Sequence, residues 1–195
     1  MAKQGNSIHF LNSYPASTLV VTEVIEKLIT DLRASGYHQE EIEEIVLSMD
    51  EAITNAVQVT LKTNQSHRQN QCSDDRCNIT VRYAITPSLF DATIIDHGKG
   101  LDIFNVVNET PNSGSPTYAT QILRYATESE QNKLTVRVNG QEVPLRGIGA
   151  GLKIILNFMD HVTIDLIDKK TILSRTVTEH TDGTIFNMKR SRRHV

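Results

Sequence analysis

The chain has no tryptophan, two cysteines and 5% aromatic residues. Two cysteines do not make the disulfide framework of a small secreted domain, and 195 residues suffice for a core without one. Cys72 and Cys77 form, with His67, a His-x4-Cys-x4-Cys array in a polar stretch. It reads as two thiols on a loop or as a metal array, and structural zinc normally wants four ligands at tighter spacing. No apolar run approaches the roughly 18 residues of a membrane span. Met1 to Phe10 lack a charged segment followed by an apolar one, so no signal peptide is expected and the protein is expected in the cytoplasm. A strong excess of one charge is also missing: the net charge is −3 and the pI about 6.2. That is not the basic field of a nucleic-acid reader. The basic run Lys189, Arg190, Arg192, Arg193 and His194 is expected to be a solvated tail, residues 189–195.

What is present is a globular pattern without internal repeats or a composition break, so residues 1–195 are read as one domain. Residues 7–11 look like a short strand. Val21, Val24, Ile25, Leu28 and Leu32 recur at steps of three and four, which predicts a helix over 15–34 with Pro15 in its first turn and Gly36 at its end. Ile42, Ile45, Val46, Met49, Ala52, Ile53, Ala56 and Val57 share one face of a second helix, about 38–61. Residues 62–77 read as a polar loop. Ile79, Val81, Tyr83 and Ile85 alternate as in a strand, and with 90–96 they form a hairpin around Pro87 and Ser88. Residues 101–146 are rich in glycine and proline, with a short helix near 117–129 and a short strand near 133–138. A helix opened by Gly149 and Gly151 ends near Asp160. Strands follow at 161–168, 171–180 and 184–188, with Asp182-Gly183 as a turn. Helices and strands mix without strict alternation, which predicts an α+β two-layer sandwich rather than a doubly wound parallel sheet.

Three stretches carry chemistry. Glu51 and Asn55 are four residues apart on the second helix, so their side chains are neighbours away from the apolar stripe. A carboxamide oxygen suits a hard cation and a carboxylate can accept a proton, as a Mg·ATP site needs; an ordinary solvated helix face looks the same. Asp96-His97-Gly98-Lys99-Gly100 ends an apolar strand. A carboxylate at that strand mouth can accept the adenine amino hydrogen, and glycines admit a ligand closely; an Asp-Gly turn has the same letters. Gly149-Ala150-Gly151 leads into an apolar helix whose free first-turn amides would hold phosphate, or it is a hinge. It lacks the Gly-Lys-Ser/Thr ending of a P-loop.

The order of these stretches resembles the GHKL (Bergerat-fold) superfamily of histidine kinases, gyrase-type ATPases and MutL. That family has Glu-x-x-x-Asn on a helix, Asp-x-Gly-x-Gly after a strand, a variable lid, and Gly-x-Gly opening a helix. Within it, Glu51 to Gln58 and Gly149-Ala150-Gly151-Leu152 through Asn157-Phe158-Met159-Asp160 are most similar to the bacterial anti-sigma-factor serine/threonine kinases. The resemblance implies a mixed, mostly antiparallel sheet with helices on one face, and residues 101–146 as the ATP lid. It implies Glu51 as catalytic base, Asn55 as the Mg²⁺ ligand, Asp96 on adenine, and Gly98, Gly100, Gly149 and Gly151 shaping the pocket. The implied partners are a STAS-type anti-anti-sigma protein, a sigma factor and a second copy of the chain. Val59 stands where the family often has histidine, the loops at 62–77 and 101–146 are long, and Arg146 is one residue farther from Gly149 than the family's phosphate-reaching arginine. Two other functions fit the same residues: an ATP-dependent binding switch without phosphate transfer, and a detached histidine-kinase catalytic domain. The last needs a phosphoacceptor helix, and His9 and His38 lie outside the only helix expected before Glu51.

Overall fold

The computed structural model of the chain describes residues 7–65, 75–98, 135–138, 141–144, 148–169 and 180–193. Strand β1 (Ile8–Pro15) is followed by helices α1 (Thr18–Ala34) and α2 (Gln39–Gln65), then by the hairpin β2 (Asn78–Ile85) and β3 (Leu89–Asp96). A short ribbon, β4 (Thr135–Val138) with β5 (Gln141–Pro144), precedes helix α3 (Ile148–Phe158) and strands β6 (His161–Asp168) and β7 (Thr181–Ser191). The main sheet has the order β1-β2-β3-β7-β6, with every pair antiparallel. This is the α+β arrangement expected from the sequence.

Period-two alternation explains the two faces of the sheet. Ile79, Val81, Tyr83 and Ile85 of β2 are buried, as are Phe90, Ala92 and Ile94 of β3. They form one core with Val24, Leu28 and Leu32 of α1, Ile45, Met49, Ile53 and Ala56 of α2, and Ile155 of α3. The opposite face carries polar pairs: Thr93 donates to Asn187, Asn187 donates to Thr163, and Lys189 pairs with Asp91. Asp96 falls on the core side of β3 because it continues the stripe Phe90, Ala92, Ile94.

The ends of the helices follow local chemistry. Gly36 adopts φ +73°, and the Gly36 and Tyr37 amides donate back to Arg33 and Leu32, the closing pattern of a helix that ends on glycine. The Glu41 carboxylate accepts from the His38 amide, three residues before it, at the start of α2. Helix α1 begins at Thr18, so Pro15 ends β1 instead of opening the helix as expected. Helix α2 continues through Gln65, into the stretch expected to be loop.

Three further expectations are corrected. Asp182-Gly183 is no turn but lies inside β7, where Gly183 pairs with Ile167 of β6 and Asp182 falls at a register shift. A Cβ at Gly183 would run into the backbone oxygen of Asp96, so the glycine serves a close strand approach. Through Arg193 the basic run is not a solvated tail, and His194 lies outside the described residues. Lys189 and Arg190 belong to β7, Arg190 is 2% exposed, and Arg192 donates to Ser35 O while stacking over the Tyr37 ring at 4.7 Å. Cys77 closes a one-turn 3-10 helix (Asp75–Cys77) and is disulfide-bonded, not a thiol. His67, Cys72, Gly100, Arg146, the helix expected near 117–129 and most of the expected lid and of the strand 171–180 lie outside the described residues. Among the described residues, no helix is long and apolar enough to cross a membrane.

Candidate functional site

The buried stripe of β3 delivers a carboxylate to the seam between sheet and helices. Asp96 is 6% exposed. Its Oδ1 accepts from the Gly98 amide at 2.7 Å, and the Thr184 hydroxyl of β7 also bonds the carboxylate. Burial pushes its pKa up to about 7, although both hydrogen bonds pull the other way. Desolvation therefore wins over two donors, as expected where a charge has little water and, among the described residues, no cation that lowers its pKa. Thr184 had no signal in the sequence beyond following Asp-Gly; its role comes from pairing opposite Asp96.

Helix α2 supplies the second wall. Glu51, Asn55 and Val59 recur every four residues and share a face. Asn55 is exposed; Glu51 and Val59 are half-buried. Glycines explain what covers them. A Cβ at Gly98 would sit 2.9 Å from Val59 Cβ and Cγ2, so the turn after β3 presses its bare backbone onto Val59. A Cβ at Gly151 would enter the envelope of Glu51 Oε2 and lie 3.0 Å from Glu51 Cδ. The Glu51 carboxylate thus occupies the space that any other residue at 151 would need. Gly149 lies in the first turn of α3, whose leading amides have no intrahelical acceptor.

The three sequence stretches therefore converge. Glu51 meets Gly151, Val59 meets Gly98, and Gly98 meets Asp96. The family model for the histidine kinase-like ATPase domain matches residues 14–176. The chain belongs to this family. Its fold is also similar to a chain in the crystal structure of the SiaB-SiaC complex from Pseudomonas aeruginosa, with a TM-score of 0.55 and 11% identity over 93% of this chain and 89% of that one. No curated protein matches the sequence.

The residues of this ATPase domain fit the nucleotide and metal that the family implies. Asp96 offers a buried acceptor for an adenine amino group. Asn55 offers an exposed carboxamide oxygen, a hard donor suited to Mg²⁺. The start of α3 offers amides and a positive dipole end to phosphate. The absent side chain at 151 keeps Glu51 beside those amides.

This geometry makes Gly151→Ala a selective lesion. Alanine is favoured over glycine inside a helix by about 1 kcal/mol, and the group it displaces is the end of a flexible side chain. The variant should keep its melting temperature within a few degrees. ATP-dependent turnover should fall toward the roughly 10²-fold associated with an ångström-scale misplacement. Thermal unfolding and turnover assays, run side by side, check this; a lost fold or unchanged turnover contradicts it.

Proposed function

We propose that the chain is an ATP-binding anti-sigma factor and protein serine/threonine kinase whose substrate is a STAS-type anti-anti-sigma protein. The observation that carries the reading is the Glu51 carboxylate lodged against Gly151 at the start of α3, with Asn55 one turn farther along the same face of α2. A proton acceptor, a metal donor and a phosphate-binding helix end then lie within one seam. The motif likeness in Glu51–Gln58 and Gly149–Asp160 supports this substrate class. The solved neighbour belongs to a two-protein complex, which supports a protein partner.

In this reading the partner's serine or threonine oxygen forms a bond to the γ-phosphorus of ATP. The bond from that phosphorus to the β,γ-bridging oxygen breaks, and ADP leaves. The hydroxyl proton passes to Glu51. Asn55 would hold Mg²⁺, which would supply the charge that neutralises the phosphate oxygens in such transfers. Asp96 accepts from the adenine amino group, Gly98 and Gly100 admit the base, and Gly149 and Gly151 leave the α3 amides open to phosphate. A sigma factor and a second copy of the chain are the further partners.

The test is transfer of radiolabelled γ-phosphate to purified STAS-type partners from the same organism, with partner binding measured in ATP and in ADP. Label on a partner serine or threonine is the expected result. ATP-dependent binding with no label on any partner would replace the kinase with an ATP-dependent switch.

A further inference from the structure

Two features fix how helices α2 and α3 sit against each other. Near the start of α3, Gly151 meets Glu51. At the end of α3, Phe158 O accepts from Arg190 Nη1 at 3.1 Å, and Arg190 Nη2 donates to the Glu44 carboxylate of α2. From Gly151 to Phe158 is seven residues forward, and from Glu51 to Glu44 is seven residues back. The helices therefore run antiparallel, with contacts two turns, or roughly 10 Å, apart.

The second contact is built on a buried cation. Arg190 is 2% exposed and Glu44 is 15% exposed at its side chain. Phe158 ends α3, so its carbonyl has no amide of its own helix to accept from, and a cation there is favoured by the helix dipole. A planar guanidinium can serve the carbonyl and the carboxylate at once, which an ammonium does with worse geometry. Neighbouring bonds fix the same corner. The Asp160 amide donates to Lys189 O, the Ser191 amide donates to Asp160 Oδ2 at 2.6 Å, and Arg193 reaches Glu44 at 3.3 Å. The C-terminal end of α3 is thus pinned to α2 and β7, while its other end faces Glu51.

We propose that Arg190 is a positioning residue for phosphate transfer: by pinning Phe158 to Glu44 it sets the distance between the start of α3 and the Glu51 carboxylate. This rests on the kinase reading given above.

The test is a double-mutant cycle on the full chain with Arg190→Lys and Gly151→Ala. Arg190→Lys should keep the cooperative unfolding transition and bind ATP within about threefold of wild type, because adenine is held by Asp96 on β3. Its transfer rate at saturating ATP should fall about 10- to 100-fold. With Gly151→Ala already displacing Glu51, Arg190→Lys should cost little more, since coupled sites are non-additive. In the nucleotide-free protein, the Gly151 amide resonance should shift in Arg190→Lys. Independent losses that multiply, or wild-type transfer with an unmoved Gly151 resonance, overturn the proposal. If Arg190→Lys does not fold, Glu44→Gln takes its place in the cycle under the same criteria. A wild type that labels no partner refutes the kinase reading itself; the Gly151 resonance then still decides whether Arg190 sets the start of α3.

Discussion

Glu51→Gln should leave folding and ATP binding nearly intact and lower phosphate transfer by about 10²–10⁴-fold, the loss typical of a missing general base. The change is nearly isosteric, so the amide still fills the space opposite Gly151. What it loses is the capacity to take the acceptor's proton. Asp50 does not substitute for it, because the preceding residue on a helix points roughly 100° away. Glu44, on the Glu51 side of α2, is engaged by Arg190 and Arg193. Radiolabelled transfer and calorimetry on the same preparations check the separation. Equal transfer by both proteins would remove Glu51 from the base role, and lost nucleotide binding would make it a binding residue.

Asp96→Asn should stabilise the nucleotide-free protein at pH 8. The folded-state pKa of Asp96 is raised from the ordinary 3.8 to about 7, chiefly by burial. Between those values the folded chain holds a proton that the unfolded chain has released. Stability from this group is therefore full below pH 3.8, declines as pH rises, and is lost above about 7. The interval corresponds to about 4 kcal/mol as an upper bound. Asparagine carries no charge to desolvate. Its oxygen can still accept from Gly98 and its amide can donate to Thr184. The gain should shrink toward zero near pH 4. Urea unfolding of both proteins across this range tests the claim; a variant less stable at pH 8, or a gain independent of pH, contradicts it.

Much of this site was legible because its signals are local. The apolar strand 90–96 already ended on Asp96 with glycines after it, and i, i+4 spacing already put Glu51 beside Asn55. The strand 161–168 and the end of α1 at Gly36 also followed from short-range pattern. The rest depended on partners distant in sequence. Nothing near Arg190 reveals that Glu44, 146 positions earlier, will bury it, and basic runs are usually solvated. Asp182-Gly183 carries a strong turn dipeptide, yet pairing of the flanking residues Thr181 and Gly183 with β6 overrode it, leaving only a register shift at Asp182. The role of Gly151 likewise needed Glu51, on a different helix, to be seen against it.

The central claim is that this chain binds ATP with Asp96 as its adenine acceptor. Isothermal calorimetry of Mg·ATP binding at pH 8 to wild type and Asp96→Asn tests it most directly. The predicted result is saturable binding by wild type and a loss of about 1.5–3 kcal/mol in the variant, the cost of removing a charged hydrogen-bond partner. Equal affinity in the two proteins, or no heat of binding in wild type, would contradict it.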